Sequence, residues 1–298
     1  MPCYHPLPGW YAKERNEGTG KRGIVFNLAA GFKDRPVSVP CGKCIGCQLE
    51  RARQWAMRCV HEASLYEHNC FVTLTYDDAH LPAGGTLVPE HFVNFMKRLR
   101  FQFGPGIRFF HCGEYGSKLE RPHHHALLFN FDFDDKRRLL VGSGKDALYE
   151  SASLGRLWPH GFTSIGECSF ESAGYIARYS MKKFNGSSRA AHYQGRLPEY
   201  LTMSNRPGIG RRWIEKFYRS VYARDECVVN GHPCKPPRYY DDVASSIIPS
   251  RIESVRIRRA GLASVSPERL GNRPLSRETV KVAAIKFLSR EFEVSNGS

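Results

Sequence analysis

The chain has 298 residues, with 44 Lys and Arg against 29 Asp and Glu and a net charge of +15. Its hydrophobic share of 41% can fill the core of one large domain, or of one domain with appendages. The positive excess favours a polyanionic partner, most simply nucleic acid, over an acidic membrane surface, for which there is no strong amphipathic anchor. No run is long and apolar enough to cross a membrane, and Met1-Pro2-Cys3-Tyr4-His5 lacks the basic-then-apolar pattern of a secretory signal. Ten cysteines without such a signal argue against a secreted disulfide scaffold and for reduced thiols or metal ligands.

In chain order, Cys41, Cys44 and Cys47 form C-x-x-C-x-x-C, Cys3 offers a fourth thiolate, and His5 can stand in for one of them. Zinc sites are usually four-coordinate with thiolate and imidazole ligands. A structural Zn²⁺ on Cys3, Cys41, Cys44 and Cys47 is therefore expected, tying the N-terminal arm to the domain. Iron–sulfur ligation and free thiols at a helix start are the alternatives. Gln48 to Glu67 is an amphipathic helix with Trp55, Cys59, Ala63 and Tyr66 on one stripe and Arg51, Arg53 and Arg58 on solvated faces. Cys70 to Asp78 is a β-branched and aromatic strand that ends in acidic turn formers. Pro89 to Gln102 is a helix, with proline at its start, Gly104 after its end, and Lys97, Arg98 and Arg100 as phosphate contacts.

Ile107 to Glu114 is the next strand. A loop around Gly116 to Pro122 then makes a hairpin with the apolar strand Pro122-His123-His124-His125-Ala126-Leu127-Leu128-Phe129. The glycines at 142–144 are too weak a signal for a phosphate loop. Asp146 to Trp158 is a helix, Phe162 to Cys168 a strand, and Ser172 to Lys183 a helix. Residues 185–189 and 202–210 are loops, and Arg211 to Tyr222 is a basic aromatic helix, either a core helix with a charged outer face or one whose Arg211 and Arg212 meet phosphate. Beyond Asp225 the pattern weakens, with a basic run from Arg251 to Arg259 and a disordered tail from Ser295. Short strands with helices on one side give an α+β sandwich. The division expected is 1–69 as a Cys-rich arm with the first helix, 70–224 as the core, and 225–298 as a basic extension.

Two segments carry chemistry. Side chains alternate across a strand, so His123 and His125 share a face and His124 points away. Two imidazoles on an apolar strand suit one divalent ion. Glu114 comes opposite them on the neighbouring strand, and a carboxylate with two imidazoles leaves sites open on Mg²⁺ or Mn²⁺. His111, Glu120 and Asp77 are the rival third ligands. In the later helix Tyr175 and Tyr179 lie four apart on one face, with Arg178, Lys182 and Lys183 adding positive charge. A neutral phenol is a poor nucleophile, so a metal or cation must favour its ionised form.

Together the histidine strand and the Tyr-x-x-x-Tyr helix resemble the HUH endonucleases. More narrowly, the chain resembles the replication initiators of the microviruses, small single-stranded DNA phages, in their gokushovirus branch. Residues 41–47, 112–116, 121–129, 175–183 and 206–210 carry that resemblance, which covers roughly residues 1–225. His124 departs from it, because the family prefers an apolar residue there. The resemblance implies an antiparallel, ferredoxin-like palm and a metal-dependent, site-specific single-strand nickase and ligase acting in rolling circle replication. It implies Tyr175 and Tyr179 as nucleophiles in a 5′-phosphotyrosine link, with Lys182 in the catalytic group. His123, His125 and Glu114 are expected on Mg²⁺ or Mn²⁺, and Arg121, Arg178, Lys183, Arg211 and Arg212 on DNA. Partners would be single-stranded origin DNA and the host helicase and polymerase, in the cytoplasm of a bacterial host. A non-catalytic DNA-binding or packaging protein, a water-activating metal hydrolase, and a plasmid relaxase or transposase of the same superfamily remain open.

Overall fold

The computed structural model describes residues 3–18, 20, 22–116, 119–139, 147–179, 188–264 and 271–286, without the side chains of 179, 188–190, 264 and 286. The chain forms two compact units, residues 1–51 with 260–289 and residues 52–259 with 290–298. In chain order the elements are β1 (Leu7–Arg15), β2 (Arg22–Val25), β3 (Gly31–Val39), α1 (Ile45–Ala63), β4 (Asn69–Thr75), α2 (Pro89–Phe103), β5 (Arg108–Tyr115), β6 (Pro122–Phe129), β7 (Arg137–Arg138), β8 (Tyr149–Glu150), α3 (Ala152–Leu157), β9 (Thr163–Gly166), α4 (Phe170–Tyr179), α5 (Ser188–Tyr193), β10 (Tyr200–Met203), α6 (Arg211–Arg224), β11 (Cys227–Val229), β12 (His232–Cys234), α7 (Arg238–Ala244), α8 (Pro249–Ser264) and α9 (Arg273–Lys286). Among the described residues no helix is long and apolar enough to cross a membrane.

The larger unit is built on an antiparallel sheet of order β10-β5-β6-β4-β9-β8-β7, an α+β architecture as expected. The helices do not lie on one side of it. Val72, Leu74, Ala126 and Leu128 pack with Phe92, Phe95, Met96 and Leu99 of α2 and with Leu154 and Leu157 of α3. Phe71, Phe110, Cys112, Leu127 and Phe129 join Ala52, Ala56 and Cys59 of α1 and Ala173, Ile176 and Ala177 of α4. A strand covered on both faces reads as a continuous apolar run, so the apolar stretches Cys70-Phe71-Val72 of β4 and Ala126 to Phe129 of β6 do not betray the second layer.

Three expected elements are corrected. The helix drawn over 146–158 is α3 alone, where the Ser151 side chain accepts from Leu154 N. Tyr149 before it pairs with Ile165 at the sheet edge. The loop drawn over 202–210 begins as strand, since Thr202 and Met203 pair with His111 and Phe110. Residues beyond Asp225 do not fade: α7 and α8 bury Tyr240, Val243, Ala244, Ile252 and Val255 against α6, and 225–259 belong to the sheet-bearing unit. Residues 142–144 and the tail from Ser295 lie outside the described residues.

Buried histidines make this unit sensitive to acid. His61 of α1 stacks on Trp213 with ring centroids 3.5 Å apart and is hydrogen-bonded to Tyr240 Oη at 2.9 Å. Burial pushes its pKa from 6.5 down to about 4, and pushes His111 of β5 well below its ordinary value. Both are neutral when folded, whereas the unfolded chain protonates them near pH 6.5. Their contribution is therefore complete above that pH and is lost as pH falls through the window between the unfolded and folded values. Each should cost about 1.4 kcal/mol per pH unit inside it. Urea midpoints followed by circular dichroism should begin to fall near pH 6, before carboxylates protonate; a level midpoint down to about pH 5 contradicts this.

Candidate active site

Register decides what meets what. Across the β5–β6 pair Glu114 faces His123, Gly113 faces His124 and Cys112 faces His125. Thr73 of β4 faces His125 from the other side. Glu114, His123 and His125 therefore share the sheet face that α1 and α4 cover. Glu114 Oε1 lies 2.7 Å from His125 Nε2. His125 Nδ1 is hydrogen-bonded to Thr73 Oγ1 at 3.0 Å. His123 Nδ1 donates to the Arg121 carbonyl at 2.6 Å, which leaves its Nε2 with a lone pair. Burial, and then the neighbouring His125, hold the His123 pKa down, so the imidazole stays neutral, the form that binds metals.

The tyrosine comes from α4. Ser169 and Ser172 cap its start reciprocally, Ser169 N donating to Ser172 Oγ at 2.8 Å and Ser172 N to Ser169 Oγ at 3.1 Å. Ala173, Ile176 and Ala177 are buried against the sheet and α1. That packing sets Tyr175 over β5 and β6. Its ring meets His125 edge-on at 5.2 Å and 90°, and Phe71 at 6.4 Å. Its hydroxyl donates to Glu114 Oε1 at 3.2 Å. Glu114, His125 and Tyr175 are only 2%, 3% and 6% exposed, so this polar cluster is sheltered from bulk water. Tyr179 closes the same helix one turn on; Lys182 and Lys183 lie outside the described residues.

Two imidazoles and a carboxylate on one face are a donor set able to hold a divalent metal ion. The set is more open than a closed structural site: its donor atoms do not all lie within 4.8 Å of one another, and the two histidine rings are 6.2 Å apart. The rival third ligands are elsewhere. Glu120 pairs with Arg196 at 2.7 Å and Asp77 with His80 at 2.7 Å. His111 lies on the opposite face of the sheet, hydrogen-bonded to His124.

His124 has a different task. It is fully buried, with Nδ1 3.1 Å from His111 Nε2 and Nε2 3.1 Å from Tyr76 Oη. The run continues through His111 Nδ1 to Thr202 Oγ1 at 2.8 Å and through Tyr76 Oη to His91 Nδ1 at 2.8 Å. Both ring nitrogens of His124 are thus engaged behind the strand. This network ties β4, β5, β6, β10 and α2 together directly beneath the site. Thr73 and the partners of His124 escaped the sequence reading; the alternation in Val72-Thr73-Leu74 is the signal that would have marked Thr73.

Several expected phosphate contacts are otherwise employed. Arg121 donates to the Tyr76 carbonyl at 2.8 Å and to Asp78. Arg98 and Arg100 each hold a backbone carbonyl, those of Leu157 and Ile107, at 2.8 Å. Arg58 is no solvated residue: it lies 3.9 Å from the ring centres of both Trp55 and Tyr239 and donates to the Ile209 carbonyl at 3.0 Å. Arg211 pairs with Glu215 at 2.7 Å, while Trp213 is spent on His61, so α6 is a core helix with a charged outer face. Arg178 and Arg212 are exposed and available to a polyanion.

Residues 69–184, from β4 through the tyrosine helix, match the family described as Replication-associated protein ORF2/G2P. Replication-associated protein VP4 of Bdellovibrio phage phiMH2K is 35% identical over 98% of this chain and 98% of its own length. Replication-associated protein ORF2 of Spiroplasma virus 4 is 36% identical over 68% of this chain and 67% of its own length. Replication-associated protein ORF4 of Chlamydia phage 1 is 31% identical over 70% and 54%, respectively. None of the solved structures matches the chain. Sharing more than a third of its residues with a relative across almost the whole of both chains, the protein belongs to the family of phage replication-associated proteins.

Proposed function

We propose that the protein initiates rolling circle replication of a single-stranded DNA phage by nicking and rejoining the origin strand through Tyr175 and Tyr179. The observation that carries this reading is the meeting of the Tyr175 hydroxyl with Glu114, beside His125 and on the face of His123. Tyr175 Oη forms a bond to the scissile phosphorus while the P–O3′ bond breaks. The phenol proton leaves along its hydrogen bond to Glu114, and the departing 3′ oxygen takes a proton from water. The products are a 5′-phosphotyrosine ester and a free 3′-hydroxyl for a host polymerase to extend. The ester keeps the energy of the broken bond, so rejoining needs no nucleotide. Tyr179, one turn along the helix, can accept the next strand while the first link persists. Glu114, His123 and His125 would hold Mg²⁺ or Mn²⁺, which when bound neutralises the non-bridging phosphate oxygens. Exposed Arg178 and Arg212, with Lys182 and Lys183, would bring the strand to the site in the host cytoplasm.

The test is an origin-containing single strand incubated with Mn²⁺, with mass mapping of the modified residue. A covalent adduct on Tyr175 or Tyr179 supports the reading. A non-catalytic binding protein would make none, and a water-activating hydrolase would cut without one. Replacing His123 and His125 together by alanine should lower metal-dependent cleavage by at least about a hundredfold. Undiminished cleavage moves the site elsewhere. Nonspecific DNA affinity should fall steeply with salt, as counterions released by phosphate contacts return; a flat salt profile removes the charge-based part of the argument.

A further inference from the structure

We propose that Cys3, Cys41, Cys44 and Cys47 form a closed tetrahedral site for a single zinc ion, and that this ion, rather than an apolar core, holds the N-terminal sheet together. The inference concerns the smaller unit alone and does not rest on the nickase reading. The four sulfurs all lie within 4.8 Å of one another, which no other group of three or more His, Cys, Asp or Glu achieves among the described residues. Cys3 Sγ and Cys44 Sγ are 3.8 Å apart. A tetrahedral zinc with bonds of about 2.3 Å sets its thiolates about 3.8 Å apart. A disulfide would need about 2.05 Å, and none of the ten cysteines is in one. A polynuclear iron–sulfur cluster hangs its thiolates on different irons and spreads them wider.

The surrounding backbone is arranged for thiolates. Cys41 N donates to Cys3 Sγ at 3.2 Å, Cys44 N to Cys41 Sγ at 3.3 Å and Tyr4 N to Cys44 Sγ at 3.4 Å. Gly42 turns the chain between Cys41 and Cys44 at φ +74, a conformation side chains rarely adopt. Cys47 lies in the first turn of α1, where the helix dipole favours negative sulfur. His5, the other possible ligand, instead pairs with Glu278 at 2.5 Å.

The second observation is how little else holds this sheet. The sheet β2-β1-β3 is antiparallel, and β1 reads mostly exposed along its length. Among the described residues from 3 to 51, Tyr4 at 5% exposure is the only buried side chain larger than cysteine. Gly9 and Gly31 are buried only as backbone, and a Cβ at Gly31 would stand 2.5 Å from Trp10 Cβ. Sheets this thinly cored need a staple. A zinc bridging Cys3 to Cys41 would close β1, β2 and β3 into one loop.

The full chain, expressed with zinc and dialysed, should carry one zinc per chain by mass spectrometry of metals. Exchange into Co²⁺ should give the visible bands and sulfur-to-cobalt charge transfer of a tetrahedral thiolate site. Stripping the metal should make residues 1–51 cleavable by trypsin, with the rest of the chain left resistant. Cys41→Ser with Cys44→Ser should lose the metal; His5→Ala should keep it. Iron in place of zinc, an octahedral cobalt spectrum, or four thiols that alkylate as fast in the metal-supplied chain as in the stripped one would overturn the proposal. The cobalt spectrum is read on the unaltered chain, so a variant that fails to fold does not shield it.

Discussion

A chain with Tyr175 and Tyr179 both replaced by phenylalanine should bind an origin strand and form no covalent adduct with it. The change removes two oxygens and no ring. The Tyr175 ring keeps its edge contacts with His125 and Phe71, and the lost hydrogen bond to Glu114 should cost stability only about 1 kcal/mol. Chemistry should lose far more, because the phenol oxygens are the proposed nucleophiles. The fall in adduct formation should exceed about a thousandfold. Tyr76→Phe is the informative control: its hydroxyl serves His124 and His91 behind the sheet, so adduct formation should survive that change. An adduct that persists in the double variant, on denaturing gels with the linked peptide mapped, would show that another residue attacks.

The placement of the candidate site was legible because it obeys two short-range periods. Alternation along β6 separates His123 and His125 from His124, and helical spacing puts Tyr175 and Tyr179 on one face. Glu114 followed from the hairpin alone, since β5 and β6 are joined by a short loop that fixes their register. What could not be read were partners set by distant pairing. His124 reads only as the histidine that points away until Tyr76, just past β4, and His111 of β5 supply its partners. Thr202 and Met203 become strand only beside β5. The arginines misled for the same reason: Arg98, Arg100 and Arg121 look like phosphate contacts in sequence and Arg58 like a solvated residue, yet each bonds to a carbonyl of another segment. The sheet β2-β1-β3 left almost no trace, because it buries few side chains and so writes no period into its sequence.

Arg108→Met should destabilise the larger unit by about 3–5 kcal/mol, the usual result of stranding one partner of a buried pair. Arg108 of β5 donates to Glu62 of α1 at 2.6 Å, with side chains 11% and 1% exposed. It also donates to the Pro207 carbonyl at 2.6 Å, while the other Glu62 oxygen accepts from Gly210 N at 2.7 Å. The pair therefore clamps residues 206–210 against α1 and β5. That segment cannot easily move aside. A Cβ at Gly208 would stand 2.5 Å from Tyr239 Oη, and one at Gly210, whose φ is +75, would stand 2.6 Å from Tyr240 Oη. With the guanidinium gone, the buried Glu62 carboxylate keeps the Gly210 N–H and loses its contacting countercharge, leaving only the more distant Arg58 guanidinium. Thermal melts should drop by on the order of 10 °C in a unit of this size. Replacing Glu62 by leucine as well should restore much of the loss, because apolar groups of matching volume often do as well as a buried ion pair. If Arg108→Met alone melts within about 2 °C of the unaltered chain, the clamp contributes little and the glycine-rich turn is held by its tyrosine contacts instead.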